Sequence, residues 1–594
     1  MLYIISIIIL FTLILIVPKS KEKLNIIKTI TITLIALFAY NTFICYILNF
    51  INIPITLISL SIVNFIISVL LICKIIKNKE IQKYEIIKRD IISTIVILSI
   101  IIITISINFS GISRIRYISM DCTNHYKAAR EFSENTKLFN KETENSTTSK
   151  CFMPMGYVNV GILFKIFRQY IGTINLYKVY ILFESTIYFL VGMMFYFCLQ
   201  NKIKTKNQIL VGIVLSIFYV IGYPFNALIC GFHYLLLGIL YFITIFDVIV
   251  NVIQTKKIEF KFIVTLLTLL NIGLIFSYAL FCPFVYLAEF VYFIIKYKKD
   301  KNKKEIFLIT IFSLILTGLM GCDIVLFQRI NELGETGINI DGWIYKNTFS
   351  NIILFLPFVI YYIVKLIKEK GKIFEKSLII FFVVFLSLLA IGTKLKLCSS
   401  YYFYKNYYIL WFLIFYMASN VIIQFIEQGE TKKYIANGFI AFYTFLFFIF
   451  ILFIDTPIQT EETEENTRNL MEIYTFNKTN INIDIPYVYK EELELFEKLD
   501  NILEIDWKDS PSVLMIGEPP QQRWLQSLTG YYHSIYPDAI TDIKKWNNGE
   551  YEYLIILEKR EPYDILKKAI KIEDAELVYQ NDVGKLYIKK RRVK

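Results

Sequence analysis

An aspartate and a histidine four residues apart open the first long polar break in an otherwise apolar chain, Asp121-Cys-Thr-Asn-His125. On a helix this spacing puts both side chains on one face, a turn apart. A carboxylate and an imidazole so placed can take a proton from an acceptor hydroxyl, with Asp121 as general base and His125 beside it on the acceptor. Asp121 also has a purely structural reading, as the N-cap of a helix running from about Thr123 to Glu134. The pair offers at most two ligands to a divalent metal and no further carboxylate or imidazole follows at ligand spacing, so neither a metal nor another cofactor is assigned.

A second chemical cluster is Lys394-Leu-Lys-Leu-Cys-Ser-Ser-Tyr-Tyr-Phe-Tyr-Lys-Asn-Tyr-Tyr408. Lys394, Lys396 and Lys405 suit the phosphate of a membrane-borne lipid. Tyr401, Tyr402, Tyr404, Tyr407 and Tyr408 form either an interfacial aromatic belt or a platform for stacking a sugar. Arg329 is a further cation of the same kind, in a loop that also holds Asp341 and Trp343. His233 and Asn226 lie in a short turn, Tyr223–Tyr234, where they either line a cavity floor or pack. The only other histidine is His533.

The elements that position these residues are membrane spans. Of 594 residues 56% are hydrophobic, and the mean hydropathy is +0.53, beyond the range of soluble domains. Apolar segments between residues 2 and 109 and between 175 and 454 give about fourteen spans of the length a bilayer requires. The first, Leu2–Val17, lacks a basic leader and a small-residue cleavage site and reads as a retained span. Lysine-rich connections at 19–23, 74–89, 202–206, 256–261, 296–304, 365–376 and 432–433 fall at every second turn of the chain. The positive-inside rule makes them cytoplasmic. The connections 110–174, 223–231, 328–351 and 393–406 and the tail from Asp455 are then extracytoplasmic, together with all three histidines. Lysines 394, 396 and 405 run against the charge rule, so orientation does not explain them.

Charge divides the same way. The tail from Asp455 has a balance of −8 and the preceding chain +21. The basic excess sits in short loops that set topology, which excludes a nucleic-acid reading. No CxxC or zinc spacing occurs, and Cys122 and Cys151 share the long loop without their spacing fixing a bridge. In that loop the 121–134 helix is followed by a mostly apolar helix from Tyr157, carrying Lys165 and Arg168, that fits the membrane interface. In the tail, Val513–Ile516 and Tyr553–Leu557 read as buried strands and 577–579 with 585–588 as a hairpin. Helical patterns alternate with them, giving a small α/β domain. Charges inside spans are costly and are functional or paired. Glu184 and Glu289 are the clearest, with Lys178 a partner for Glu184 if the helix bends. Asp323 falls near the outer end of its span, and Asp247 near the inner end, where solvation at the cytoplasmic surface explains it.

These features together resemble the GT-C superfamily of polytopic glycosyltransferases. The resemblance rests on a large outer loop with an acid just past a span (Asp121, then His125-Tyr126), two juxtamembrane helices, many further spans and an outer soluble tail. It covers the architecture of nearly the whole chain. In that family the acidic loop usually follows the first span, whereas here it follows about the fourth, and Cys122 stands where a second acid is familiar. The resemblance implies a polyprenyl-phosphate-linked sugar donor, a glycan or lipid acceptor, Asp121 as catalytic base, and Arg329 with the Lys394–Lys405 loop on the donor phosphate.

The expectation is therefore an α-helical polytopic membrane protein with a small extracytoplasmic α/β domain. It is divided into amino-terminal spans (1–109), an outer loop with juxtamembrane helices (110–174), a helical core (175–454) and the tail (455–594). Its expected place is the cell membrane and its expected activity glycosyl transfer to a cell-envelope acceptor. A transporter or flippase of lipid-linked saccharides and a non-catalytic envelope assembly protein are the competing classes.

Overall fold

The computed structural model describes residues 1–138, 153–253, 258–299, 303–325, 344–369, 371–455, 470–506, 513–530 and 539–589. Arg329, Asp341, Trp343, Cys151 and His533 lie outside the described residues.

Among the described residues, twelve helical stretches are long and apolar enough to cross a membrane. One of these stretches, Phe260–Lys298, is two helices, Phe260–Tyr278 and Cys282–Lys299, joined by a 3₁₀ turn. Leu2–Ile16 is apolar but shorter. The helices Leu176–Leu199, Lys206–Ile221, His233–Asp247 and Tyr407–Phe425 form the buried centre. Leu57–Asn78, Lys88–Phe109 and Glu430–Phe453 instead turn Ile, Leu and Phe outward. An apolar exterior is what lipid as solvent selects, because every helix already satisfies its own backbone.

Charges inside this bundle find partners. Asp247 is fully buried rather than solvated, because the Lys28 ammonium reaches it at 2.6 Å and the Asn251 amide donates to it at 2.7 Å. Glu289 accepts from the Asn271 amide at 3.0 Å, and Asp323 from the Tyr46 hydroxyl at 2.6 Å. Lys178 does not meet Glu184. Six residues of helix turn the two side chains to different faces, and Lys178 lies 5.7 Å from its neighbour's ring, Tyr177.

The basic connections meet one another at one end of the bundle. Lys19 bonds both Gln82 and the amide of Glu259, Arg89 donates to the Ile203 carbonyl, Thr205 donates to Glu427, and Lys365 donates to Gln424. The outer loop and the tail are in contact with each other through paired strands and stacked rings. Strand β1 (Ile115–Arg116) pairs antiparallel with β2 (Tyr487–Val488) of the tail. The loop helix Asp121–Glu134 packs on a second, Pro154–Ile171, so closely that a Cβ at Gly161 would fall 2.5 Å from Phe132 and 2.8 Å from the Ala129 carbonyl. Only glycine allows that approach. This second helix is not the interfacial helix expected: protein covers most of it from Pro154 to Ile166, and Lys165 is turned inward to the carbonyls of Ile55 and Asn135.

The tail does not begin its packing afresh at Asp455. Its helix Glu472–Ile481 is seated in the bundle, where Tyr474 donates to the Phe218 carbonyl at 2.9 Å and Asn477 bonds Asn226 at 2.9 Å. Beyond it, β3 (Val513–Ile516), β4 (Tyr553–Leu557), β5 (Ala575–Gln580) and β6 (Gly584–Lys589) form a four-stranded sheet in the order β3-β4-β6-β5. β3 and β4 are parallel, and the β5–β6 hairpin is antiparallel with an irregularity at Leu577/Tyr579. The expected small α/β unit is present. A short helix, Glu561–Leu566, lies between β4 and β5.

The Asp247–Lys28 pair gives a stability test. Lys28→Met is expected to cost about 3–5 kcal/mol, because it strands a buried carboxylate. Adding Asp247→Asn to Lys28→Met is expected to recover most of that loss in detergent-solubilised thermal unfolding.

Candidate functional site

Asp121 is the first residue of its helix and is exposed. It is not the cap: Met120 holds that position without a side-chain hydrogen bond, and the Asp121 amide bonds to Ser119 Oγ at 3.2 Å. A carboxylate in the first turn still complements the helix dipole, while its side chain is left to the outside.

One turn on, His125 is buried. Its ring lies 4.5 Å from that of His233, edge to face, and 4.8 Å from that of Tyr234. The Tyr234 hydroxyl is 3.1 Å from the Tyr401 hydroxyl and accepts from the Lys405 ammonium at 3.1 Å. Lys405 is fully buried, 3.3 Å from the centre of the Phe232 ring and 4.6 Å from that of Tyr401. An ammonium over three aromatic faces gains cation–π attraction. Among the described residues no carboxylate lies at ion-pair distance from it, and the Asp121 charge attracts it from further off.

The expected residues Asp121, His125, His233, Tyr401 and Lys405 thus come together, and Tyr402 adjoins them with its ring 5.9 Å from Tyr401. Lys394 ends its helix and Lys396 follows in a left-handed turn, both exposed. Among the described residues no hydrogen bond, ion pair or ring contact ties these two to the cluster. Asn226 belongs to the packing instead, accepting from Tyr408 at 2.7 Å while bonding the tail's Asn477.

Behind the histidines is a carboxylate whose role the sequence did not disclose. Glu184 is buried, accepts from the Tyr117 hydroxyl, and lies 3.7 Å from His233 Nδ1. Tyr180 is 3.0 Å from that same nitrogen. Gly156 makes room for the imidazole: a Cβ there would stand 2.3 Å from His233 Nε2. Tyr117 is also where the tail arrives, since Trp524 stacks on it at 5.9 Å and meets Tyr126 edge-on at 5.5 Å. Burial and the Glu184 charge hold the Tyr117 phenol well above its ordinary range. Cys122 is a buried free thiol, raised by burial and then by Glu184 and Asp121. The only advance signal for this set was an acid within a span. Its partners are distant in sequence, and no spacing rule joins them.

The arrangement offers an exposed carboxylate for proton transfer, a histidine pair oriented by an inner acid, and a caged cation for an anion. Among the described residues no three His, Cys, Asp or Glu side chains come together to hold a metal ion. Comparison with protein-family models and with curated proteins finds no match for the chain.

Glu184→Leu is expected to lose about 1–3 kcal/mol, because the Tyr117 hydroxyl loses its buried acceptor. Glu184→Gln, which keeps an acceptor oxygen, is expected to lose less. Thermal unfolding of the purified variants measures both, and a Leu variant as stable as the parent would remove Glu184 from the centre of the network.

Proposed function

We propose that the chain is a membrane glycosyltransferase that moves a sugar from a polyprenyl-phosphate donor to a cell-envelope acceptor. What carries the reading is the pairing of an exposed acid, Asp121, with a buried ammonium, Lys405, that has no carboxylate at ion-pair distance among the described residues. A donor of this kind brings a phosphate on a lipid, and leaves as a phosphate once the sugar departs. A caged cation stabilises that leaving charge, and more strongly in low dielectric than in water. The acceptor hydroxyl must lose a proton as it attacks the anomeric carbon, and Asp121 is exposed to meet it.

His125 lies on the wall between the two groups, where an imidazole can hydrogen-bond a sugar or acceptor hydroxyl. His233, held by Tyr180 and Glu184, fixes the other side of that ring pair. Tyr401 and Tyr402 present rings for sugar stacking. Lys394, Lys396 and Arg329 act on this reading as a basic rim for the lipid phosphate. The site faces the extracytoplasmic side, and the gathering of basic loops away from it supports that orientation. The tail is then an extracytoplasmic domain at the cell membrane.

Asp121→Asn, purified in lipid nanodiscs and supplied with polyprenyl-phosphate sugars, is expected to transfer about 10²–10⁴-fold more slowly than the parent. Binding of the lipid donor is expected to persist. Turnover at the parent rate would end the assignment of Asp121 as base.

A further inference from the structure

Arg116 presents a problem that the rest of the fold leaves unsolved. It lies in β1, with the tail strand β2 directly paired to it through Tyr487, and it is fully buried. None of its three guanidinium nitrogens has a hydrogen-bond partner. A guanidinium carries five N–H donors and keeps its charge at any physiological pH. Burying it without an acceptor is among the most costly arrangements a protein can hold. Of its ionisable neighbours, the Tyr487 phenol and the Cys230 thiol favour the charge and a second guanidinium, Arg114, opposes it; none is a carboxylate. Desolvation lowers the group only to about 10, so it remains cationic. The backbone carbonyl of Arg116 holds the Asn108 amide at 3.4 Å, yet Asn108 Oδ1 is also buried without a partner. Unused donors on Arg116 and an unused acceptor on Asn108 mark a seam that is incomplete as it stands.

The seam's other wall belongs to the tail. Tyr487 lies with its ring 5.5 Å from the Arg116 guanidinium and 4.1 Å from that of Arg114, and its hydroxyl donates to the Ile481 carbonyl. A ladder of two residues on each side is all the backbone pairing between β1 and β2. Arg114 donates through Nε and Nη2 to the carbonyls of Asn108 and Ile107, so its Nη1 and the Arg116 fork, with a short ladder as the closure, are what an oxyanion could accept from. The planar fork of arginine matches phosphate in this way.

We propose that Arg116, with Arg114, anchors a phosphate-binding site at the seam between the outer loop and the tail, and that occupancy of this site tightens the seating of the tail. The phosphate comes either from solution or from a lipid headgroup. The site uses neither Asp121 nor Lys405 and stands whether or not the protein transfers sugars.

The test uses the full-length protein in nanodiscs of phosphatidylcholine, in phosphate-free buffer, with hydrogen exchange read at 115–116 and 487–488. One arm adds millimolar inorganic phosphate, and the other replaces part of the lipid with phosphatidylglycerol. Exchange at the seam is expected to slow several-fold in at least one arm. A response to phosphate alone assigns a soluble ligand, and a response to the anionic lipid alone assigns a headgroup. Arg116→Met, with no charge to neutralise, is expected to start at the slow rate and respond to neither. Lys405→Met is expected to respond like the parent. No change in the parent in either arm would show that water suffices at the guanidinium and would overturn the proposal. An Arg116→Met response equal to the parent's, or its loss in Lys405→Met instead, would overturn it equally.

Discussion

A charge carried into hydrocarbon must meet an opposite charge or a dipole there, because the medium supplies neither. Nearly every polar feature of this bundle follows from that constraint. Lys28 reaches across to Asp247, Asn271 to Glu289, and Tyr46 to Asp323. Glu375 is bonded by Tyr362 at 2.6 Å and approached by Lys372 at 3.4 Å. Arg116 breaks the rule, and Lys405 meets it only through the Tyr234 hydroxyl and ring faces, with no carboxylate at ion-pair distance from either among the described residues. Both belong to the region where the outer loop, the Tyr223–Tyr234 turn and the tail meet. These cations are the observation on which the proposed binding of anions rests.

The same junction explains why the tail is built into the bundle rather than hung from it. Helix Glu472–Ile481 places Asn477 against Asn226 and the carbonyls of Ile221 and Gly222. Further along, Trp524 covers Tyr117, and Tyr117 holds Glu184, which stands behind His233. One continuous set of contacts runs from the soluble sheet to the histidine pair. Within the tail, Arg560 binds Glu492 at 2.7 Å, Glu518 at 3.2 Å and the Tyr487 carbonyl, tying the β2 strand to the sheet. A shift of the sheet would therefore be felt at β2, and through β2 at Arg116.

How far the sequence reveals this follows from which contacts are local. Hydrophobic runs and alternating basic loops are properties of contiguous segments, so the helical bundle and the meeting of its basic connections could be read directly. The α/β tail was legible from short buried strands for the same reason. Asp121 and His125 are one helical turn apart, and the helix that carries them was legible, although it begins at Asp121 rather than after it. The Lys405 cage takes Phe232 and Tyr234 from a distant segment, so only Lys405 and Tyr401 are visible in the sequence. Arg116 sits in an unremarkable Arg-Ile-Arg run, Arg114 to Arg116, and Glu184 meets Tyr117 and His233, both distant in sequence. Lys178 and Glu184 are close in sequence, but Leu176–Leu199 is one continuous helix and six residues along it separate their faces.

Exposure divides the labour at the candidate site. Asp121 is solvated, which keeps it free to approach a hydroxyl and costs the fold nothing. Lys405 is buried, which costs desolvation but multiplies its pull on any anion that enters. On the proposed function, reversing the two would give a weakly held phosphate and a carboxylate sealed from its substrate. The aromatic cage resolves the cost on the cation's side, since ring faces attract an ammonium without neutralising it. A carboxylate partner would have stabilised Lys405 better and left nothing for a ligand. Three rings in place of one acid are therefore the feature of this fold that most directly links its packing to a role in binding anions.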